Sequence, residues 1–288
     1  MEETKINPLG DKGLDNLRES MKASYKSLKP FRESQLAALK QYVGSHYADK
    51  GAPDKVPVNY LELAISIYTE HLAAKICNVL IATHNRELKL TAVKLELAVN
   101  DVLKKIKFGK VIRTAVMQAM FSVGIVKKGL NNTQTVLIDG QYYPLGQVFA
   151  ANVSLDNWVH DMFASNWDGI QYCGDRYTLP YQDVKDDENF TKEFRDKLSP
   201  KEKHNPVDDE GEKAEEISQS DDLIQKEYKE TVQLWDIWLP MEGVVITFDA
   251  DSGNDEIGRI VEWQGPKSGP YNFLGFNDVI DNIMPLAP

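Results

Sequence analysis

Through roughly the first 120 residues apolar side chains recur at steps of three and four, and further along the chain the step shortens toward two. The pattern predicts a helical N-terminal part that gives way to antiparallel strands. Helices are expected over residues 14–28 and 33–43, separated at Lys29-Pro30, since proline stops one helix and can open the next. Residues 44–57, with Gly44, Gly51, Pro53 and Pro57, predict a loop. Asn59 then caps a helix on which Leu61, Ile65, Tyr68, Leu72, Ile76 and Val79 share a face, with Glu62 at the capping-box position.

A further long helix is predicted over 86–107, where Leu88, Ala92, Leu95, Val99, Val102 and Ile106 form an alternating four-three stripe. The stripe is too short for a sustained coiled coil and implies packing in a bundle or against a neighbouring subunit. The next helix, 111–123, carries Ile112, Val116, Ala119, Met120 and Val123 on one face, runs out at Val123-Gly124 and continues straight into a lysine-bearing strand. A turn is predicted at Asn131-Asn132, a second strand over 133–138, a tight turn at Asp139-Gly140 and a continuing meander over 147–153.

Residues 155–198 read as mixed: Asp156 can cap a short helix, 169–179 is strand-like, and 181–198 is a charged helix. Residues 199–222 hold nine acidic side chains, three lysines and almost no large apolar ones, a composition that cannot offset its ordering entropy. Beyond them, strands over 231–239 and 244–249 flank Met241-Glu242-Gly243, a third strand spans 257–264, and Trp235, Trp238 and Trp263 supply apolar mass. The fold class is therefore α+β: long helices with a β-hairpin or meander, an acidic mobile loop, then a small antiparallel sheet. The domains are expected as 1–155, helical and ending in the hairpin; 156–198, mixed; 199–223, an acidic mobile linker; and 224–288, a small β region with a Pro- and aromatic-rich tail.

A length of 288 residues suits about two domains. The net charge of −11 divides unevenly, +7 over residues 1–150 and −18 over 151–288, so the two halves face different partners or each other. An acidic chain is a poor candidate for tight non-specific DNA binding, though it could surround DNA without gripping it. Cys77 and Cys173 lack CxxC spacing and read as buried free thiols of a reducing compartment. The N-terminus has no secretory pattern, and no apolar run approaches the roughly 18–20 residues that span a bilayer.

Candidate chemistry is thin. His71, Cys77 and His84 do not share a helical face, and no HExxH or CxxC completes them, so no metal is expected. Asp249, Asp251, Asp255 and Glu256 begin like a calcium loop, but Asn254 and Ile260 stand where glycine and glutamate are required. Gly109-Lys110 lacks the rest of a P-loop, and neither GxGxxG nor GxSxG occurs, so no cofactor and no catalytic triad is indicated. Lys104, Lys105, Lys107, Lys110 and Arg113 cluster across a helix-to-helix turn. They read as solvated helix ends or as contacts to DNA phosphates or to an acidic neighbouring subunit. Lys127 and Lys128 on the strand after Gly124 join them as possible DNA or subunit contacts.

Four passages together resemble bacteriophage portal proteins, the head-to-tail connectors of tailed phages: FRESQLAALKQYVGSHY; IYTEHLAAKICNVL with the long helix after it; TAVMQAMFSVGIVKKGL; and VQLWDIWLPMEGVV with PYNFLGFNDVIDNIMPLAP. They fall in order over residues 14–288, and the resemblance covers the N-terminal part of the family, a portal wing, stem and clip region without the later helices. The resemblance implies a non-catalytic structural subunit without cofactors, in a homo-oligomeric ring that is usually dodecameric. The ring would sit at the capsid portal vertex of the virion after assembly in the host cytoplasm. Its implied partners are terminase, capsid and scaffolding proteins, tail and head-completion proteins, and double-stranded DNA passing through the channel during packaging and ejection; no membrane is involved. Two other readings stand beside it: a DNA-binding or nucleic-acid-processing protein using the Lys104–Arg113 cluster, and a hydrolase whose carboxylates between Asp156 and Asp187 converge in the fold.

Overall fold

A computed structural model describes residues 9–43, 59–73, 78–138, 141–200, 230–250, 256–279 and 282–286. The chain has helices together with antiparallel sheets, an α+β class. Its contacts divide into two units that interleave along the sequence. The first comprises Met1–Asn59, Ser154–Gly269 and Asp278–Pro285; the second comprises Tyr60–Val153, Pro270–Asn277 and Leu286–Pro288.

The first unit is built on a five-stranded antiparallel sheet in the order β3-β4-β5-β6-β7, where β3 is Trp158–His160, β4 Cys173–Pro180, β5 Thr231–Leu239, β6 Val244–Asp249 and β7 Ile257–Glu262. Strand alternation gives β5 two faces. Ile237 and Leu239 join Val159, Tyr172, Ile246 and Phe248 in one core. Helix α1 (Gly10–Ser27) closes that core with Leu14, Leu17 and Met21, spaced three and four apart as one helical face requires. On the opposite face Val232 and Leu234 pack with Val184, Phe190, Phe194 and Leu198 from α6 (Tyr181–Asp186), α7 (Lys192–Lys197) and their flanks. Gly174 on β4 has no room for a side chain, since a Cβ there would lie 2.3 Å from the Asp236 carbonyl oxygen. Helix α2 (Lys29–Val43) follows α1, and the Asn59 amide donates to the Gln41 and Tyr42 carbonyls at its end. Two short strands, β9 (Asn277–Val279) and β10 (Asn282–Leu286), pair as a ribbon.

In the second unit, helices α3 (Tyr60–Leu72), α4 (Lys89–Lys105) and α5 (Phe108–Phe121) accompany a three-stranded sheet of order β2-β1-β8. Here β1 is Gly124–Ile138, β2 Gln141–Val153 and β8 Tyr271–Leu274. Val111, Ala115, Val116 and Ala119 of α5 are buried, as are Val123 at the join and Ile125, Val153 and Tyr271 of the adjoining strands. A Cβ on Gly124 would fall 2.3 Å from the Ala115 carbonyl oxygen, so the strand starts in direct backbone contact with the helix it leaves.

Several expected boundaries move. There is no turn at Asn131-Asn132: β1 continues for 15 residues, and its register on β2 shifts between Asn131 and Gln134. One extra residue is absorbed there as a bulge, which leaves the hairpin intact. The helix expected to reach Val79 ends at Leu72 in the described residues. Farther on, Val79 and Ile81 have their backbone hydrogen-bonded by side chains of α4: Asn100 Oδ1 accepts from Val79 N–H at 2.9 Å, and Glu96 Oε2 from Ile81 N–H at 3.2 Å. The helix expected from 86 begins instead with a 3-10 turn, Arg86–Leu88, capped by Asn85.

The single helix expected over 181–198 is two short ones, because Asp187 Oδ1 accepts from Asn189 N–H at 2.9 Å and Thr191 N–H is donated to the Gly258 carbonyl of β7 at 2.8 Å. Ser154, rather than Asp156, caps the turn Leu155–Asn157. The strand expected over 169–179 begins at Cys173. The predicted loop 44–57, Cys77, the Asp139-Gly140 turn, Asp251 and Asp255, and all but the first two residues of the 199–223 acidic linker lie outside the described residues.

Candidate functional site

Five of the seven basic candidates lie at one corner of the second unit. Lys104 and Lys105 end α4, and Lys110 and Arg113 lie on α5. Between the helices Lys107 takes a left-handed conformation at φ 53°. The corner is held by Ile106 N–H to Val102 O at 3.0 Å, Lys107 N–H to Lys104 O at 3.0 Å and Lys110 N–H to Lys107 O at 2.9 Å. All five side chains are exposed. Two are engaged: Lys105 pairs with Asp101 one turn earlier at 2.7 Å, and Arg113 pairs with Glu70 of α3.

Lys127 and Lys128 stand apart on β1 and point to opposite sheet faces, as neighbours on a strand must. Lys127 is opposite Tyr271 of β8, with Nζ 6.0 Å from the ring centroid, a weak cation–π contact. Lys128 donates its backbone N–H to Pro270 O at 2.8 Å. The seven cations thus form a corner group and a strand pair.

Less legible from sequence is the exposure of apolar side chains on α3 and on α4. Helix α4 buries none of its residues. Leu88, Leu95 and Val102 of its predicted stripe are exposed, and so are Leu90, Val93 and Leu97 on the other side. On α3, Tyr60, Leu63, Ile67, Tyr68 and Leu72 are exposed as well. Single exposed apolar residues are ordinary, but contiguous ones on adjacent turns mark an interaction surface.

The first unit presents one exposed aromatic. The loop after β3 leaves Phe163 94% exposed and Met162 partly so. Its backbone is nevertheless fixed: the buried Asp161 accepts from Phe163 N–H through Oδ1 at 3.0 Å and from Gln171 N–H through Oδ2 at 3.3 Å. Asp161 N–H itself reaches Tyr172 O at 3.0 Å.

Two clusters stand out among the buried polar groups of that unit. On the α6–α7 face of the sheet, Asp236 Oδ1 accepts from Tyr177 Oη at 3.0 Å and from Thr247 Oγ1 at 2.7 Å. Arg259 lies 3.5 Å from the same oxygen and donates to Thr247 Oγ1 at 2.9 Å. Burial pushes the Tyr177 phenol well above its ordinary pKa, and the neighbouring Asp236 adds to it. The second is His160, whose Nδ1 accepts from Trp158 Nε1 at 3.2 Å while the ring lies against Trp158 and Trp167. Burial lowers its pKa to about 4, against a smaller opposing effect of Asp161. Cys173 is buried, and its thiol pKa is raised well above normal by burial and then by Asp175.

Asp236 is thus satisfied by Tyr177 and Thr247, and His160 Nδ1 by Trp158. Asp156, Asp161 and Asp175 are buried, but Asp161 serves the loop backbone and Asp156 accepts from Ser154 Oγ at 3.0 Å. Among the described residues no three His, Cys, Asp or Glu side chains are grouped to hold a metal ion. Nor is any helix among them long and apolar enough to cross a membrane. Asp236 was visible in the sequence as a charge interrupting the apolar strand VQLWDIWL; His160 and Phe163 gave no such signal. No protein-family model and no curated protein matches the chain.

Proposed function

We propose that the chain is a structural subunit resembling a phage portal, a ring component of the capsid vertex through which double-stranded DNA is packaged and ejected and to which tail proteins attach. The observation that carries this reading is the exposure of apolar side chains along α3 and along α4, which ends in the exposed basic corner. A surface of that kind costs free energy in isolation and is stabilised when another chain covers it. The join at Gly124, where α5 meets the long β1–β2 hairpin, falls in TAVMQAMFSVGIVKKGL, one of the passages whose sequence resembles the portal family. In this reading the subunit breaks no bond. It offers surfaces to its own copies, to terminase, to capsid and scaffolding proteins and to tail or head-completion proteins. Heterologous contacts between copies close a ring, usually dodecameric in the portal family, and the opposite charges of the two sequence halves favour such contacts.

Electron microscopy of the purified chain tests the reading. Annular particles with an opening wide enough for a double helix are expected, whereas uniformly monomeric particles at assembly concentrations would overturn it. The exposure of Lys104, Lys107 and Lys110 favours a second reading, a duplex-binding protein, which the salt dependence of DNA affinity separates from the first.

A further inference from the structure

We infer that Phe163 is the anchor of the contact between copies, inserting against the Leu90–Val93–Leu97 face of α4 in a neighbouring copy. The inference rests on the assembly reading and names the surfaces that would make it.

Phe163 is 94% exposed on a loop whose backbone the Asp161 carboxylate pins on both sides. A large aromatic held outward on an ordered turn loses little conformational freedom when it docks, which is the property of an interface hot spot. Met162 beside it extends the apolar tip. The receiving face has the complementary character: Leu90, Val93 and Leu97 recur at helical spacing, and Leu90 and Leu97 are 67% and 66% exposed.

Charge sets the orientation. The same face carries the exposed Lys94 and Lys104 and one acid, Asp101, which is paired with Lys105 at 2.7 Å, while the Phe163 loop carries the exposed Asp168. Over the whole chain the α4 half is net positive and the Phe163 half net negative. The tip and the receiving face are different surfaces, so each copy offers one of each and the contact is head-to-tail, a geometry that closes into rings or extends into filaments. A second copy is therefore the occupant that matches both the apolar and the charged features.

The test mixes two chains of different length tag, both Cys77→Ser, one carrying Phe163→Cys and the other Leu97→Cys. Mild oxidation is expected to give a covalent heterodimer in the mixture well above the homodimer background of either chain alone. In parallel, Phe163→Asp is expected to weaken self-association about 30-fold in sedimentation equilibrium. Because the side chain is exposed, the circular dichroism should not change, and the unfolding midpoint should equal the parent's at concentrations where both are monomeric. Annular particles of the parent chain without the cross-link would overturn this contact and leave the ring reading standing. A cross-link without annular particles would keep the contact and overturn the ring reading. A Phe163→Asp chain that associates as tightly as its parent would also overturn the contact.

Discussion

The Ser24 hydroxyl of α1 closes the free edge of β3 at His160: its oxygen accepts the His160 backbone N–H at 3.2 Å and donates to the His160 carbonyl at 2.6 Å. Both groups are buried, and β3 is the edge strand of its sheet, so the side chain substitutes for a missing neighbour. Ser24→Ala leaves a buried donor and a buried acceptor unpaired. It is expected to cost about 2–4 kcal/mol, measured by urea unfolding. Ser20→Ala, which removes only a bond to the Tyr172 hydroxyl, should cost less.

His160 makes the same region sensitive to acid. Its folded pKa of about 4 lies below the ordinary 6.5, so between those values the unfolded chain binds the extra proton and the folded chain does not. Stability should fall as pH drops from 6.5 toward 4, by on the order of 3 kcal/mol from this group, and the contribution levels off below. Unfolding midpoints taken across that window in the parent and in His160→Gln should differ in slope. Equal slopes would show that other groups carry the pH dependence.

Gly124 is fixed by its neighbour rather than by its own backbone angles. A methyl there would lie 2.3 Å from the Ala115 oxygen and 2.9 Å from the Ala115 carbonyl carbon, both rigid backbone atoms of α5. Gly124→Ala must push the strand off the helix and should destabilise the second unit by about 1–3 kcal/mol. Hydrogen exchange should localise the loss to the α5–β1 join, and unchanged protection there would contradict the close packing.

What sequence reasoning reached in this fold depended on range. Strands β5 and β6 fall on the predicted residues because alternation and the Met241-Glu242-Gly243 turn are local signals. The Asn131-Asn132 turn failed because asparagine pairs suit a bulge as well as a turn, and only the register with β2 decides between them. The end of α3 and the break after Asp186 were hidden for a related reason. Periodicity persists beyond each, while the hydrogen bonds that hold the chain farther on, at Val79 and at Thr191, come from Asn100 and Gly258, distant in sequence. For the candidate site, the lysine corner was legible as a charge run. The exposure of Leu90, Leu97 and Phe163 was not, since an apolar stripe predicts burial without saying against which chain.

Lys107 occupies the one left-handed non-glycine position found among the described residues, at the bend between α4 and α5. A Cβ in that conformation crowds the backbone, and glycine relieves it. Lys107→Gly is expected to raise stability by roughly 0.5–1 kcal/mol, after the greater freedom of glycine in the unfolded chain is counted. A loss of stability would mean that the lysine side chain contributes more than the backbone strain removes.

The salt dependence of duplex binding separates the two readings of the basic corner. Lys105 and Arg113 are poor probes because they are engaged with Asp101 and Glu70, so their removal also alters helix pairing. Lys104, Lys107 and Lys110 are exposed and make no ion pair among the described residues, which makes their alanine variants the cleaner test. A chain that grips DNA through these three should show a slope of log affinity against log salt of about −3, losing about 0.9 for each lysine removed. A conduit that lets DNA slide should bind weakly, with a shallow slope that the triple variant barely changes. Fluorescence anisotropy with a labelled duplex from low to physiological salt measures both quantities. We expect the shallow slope, because the net charge of −11 opposes accumulation of the duplex on any face not specifically built to hold it.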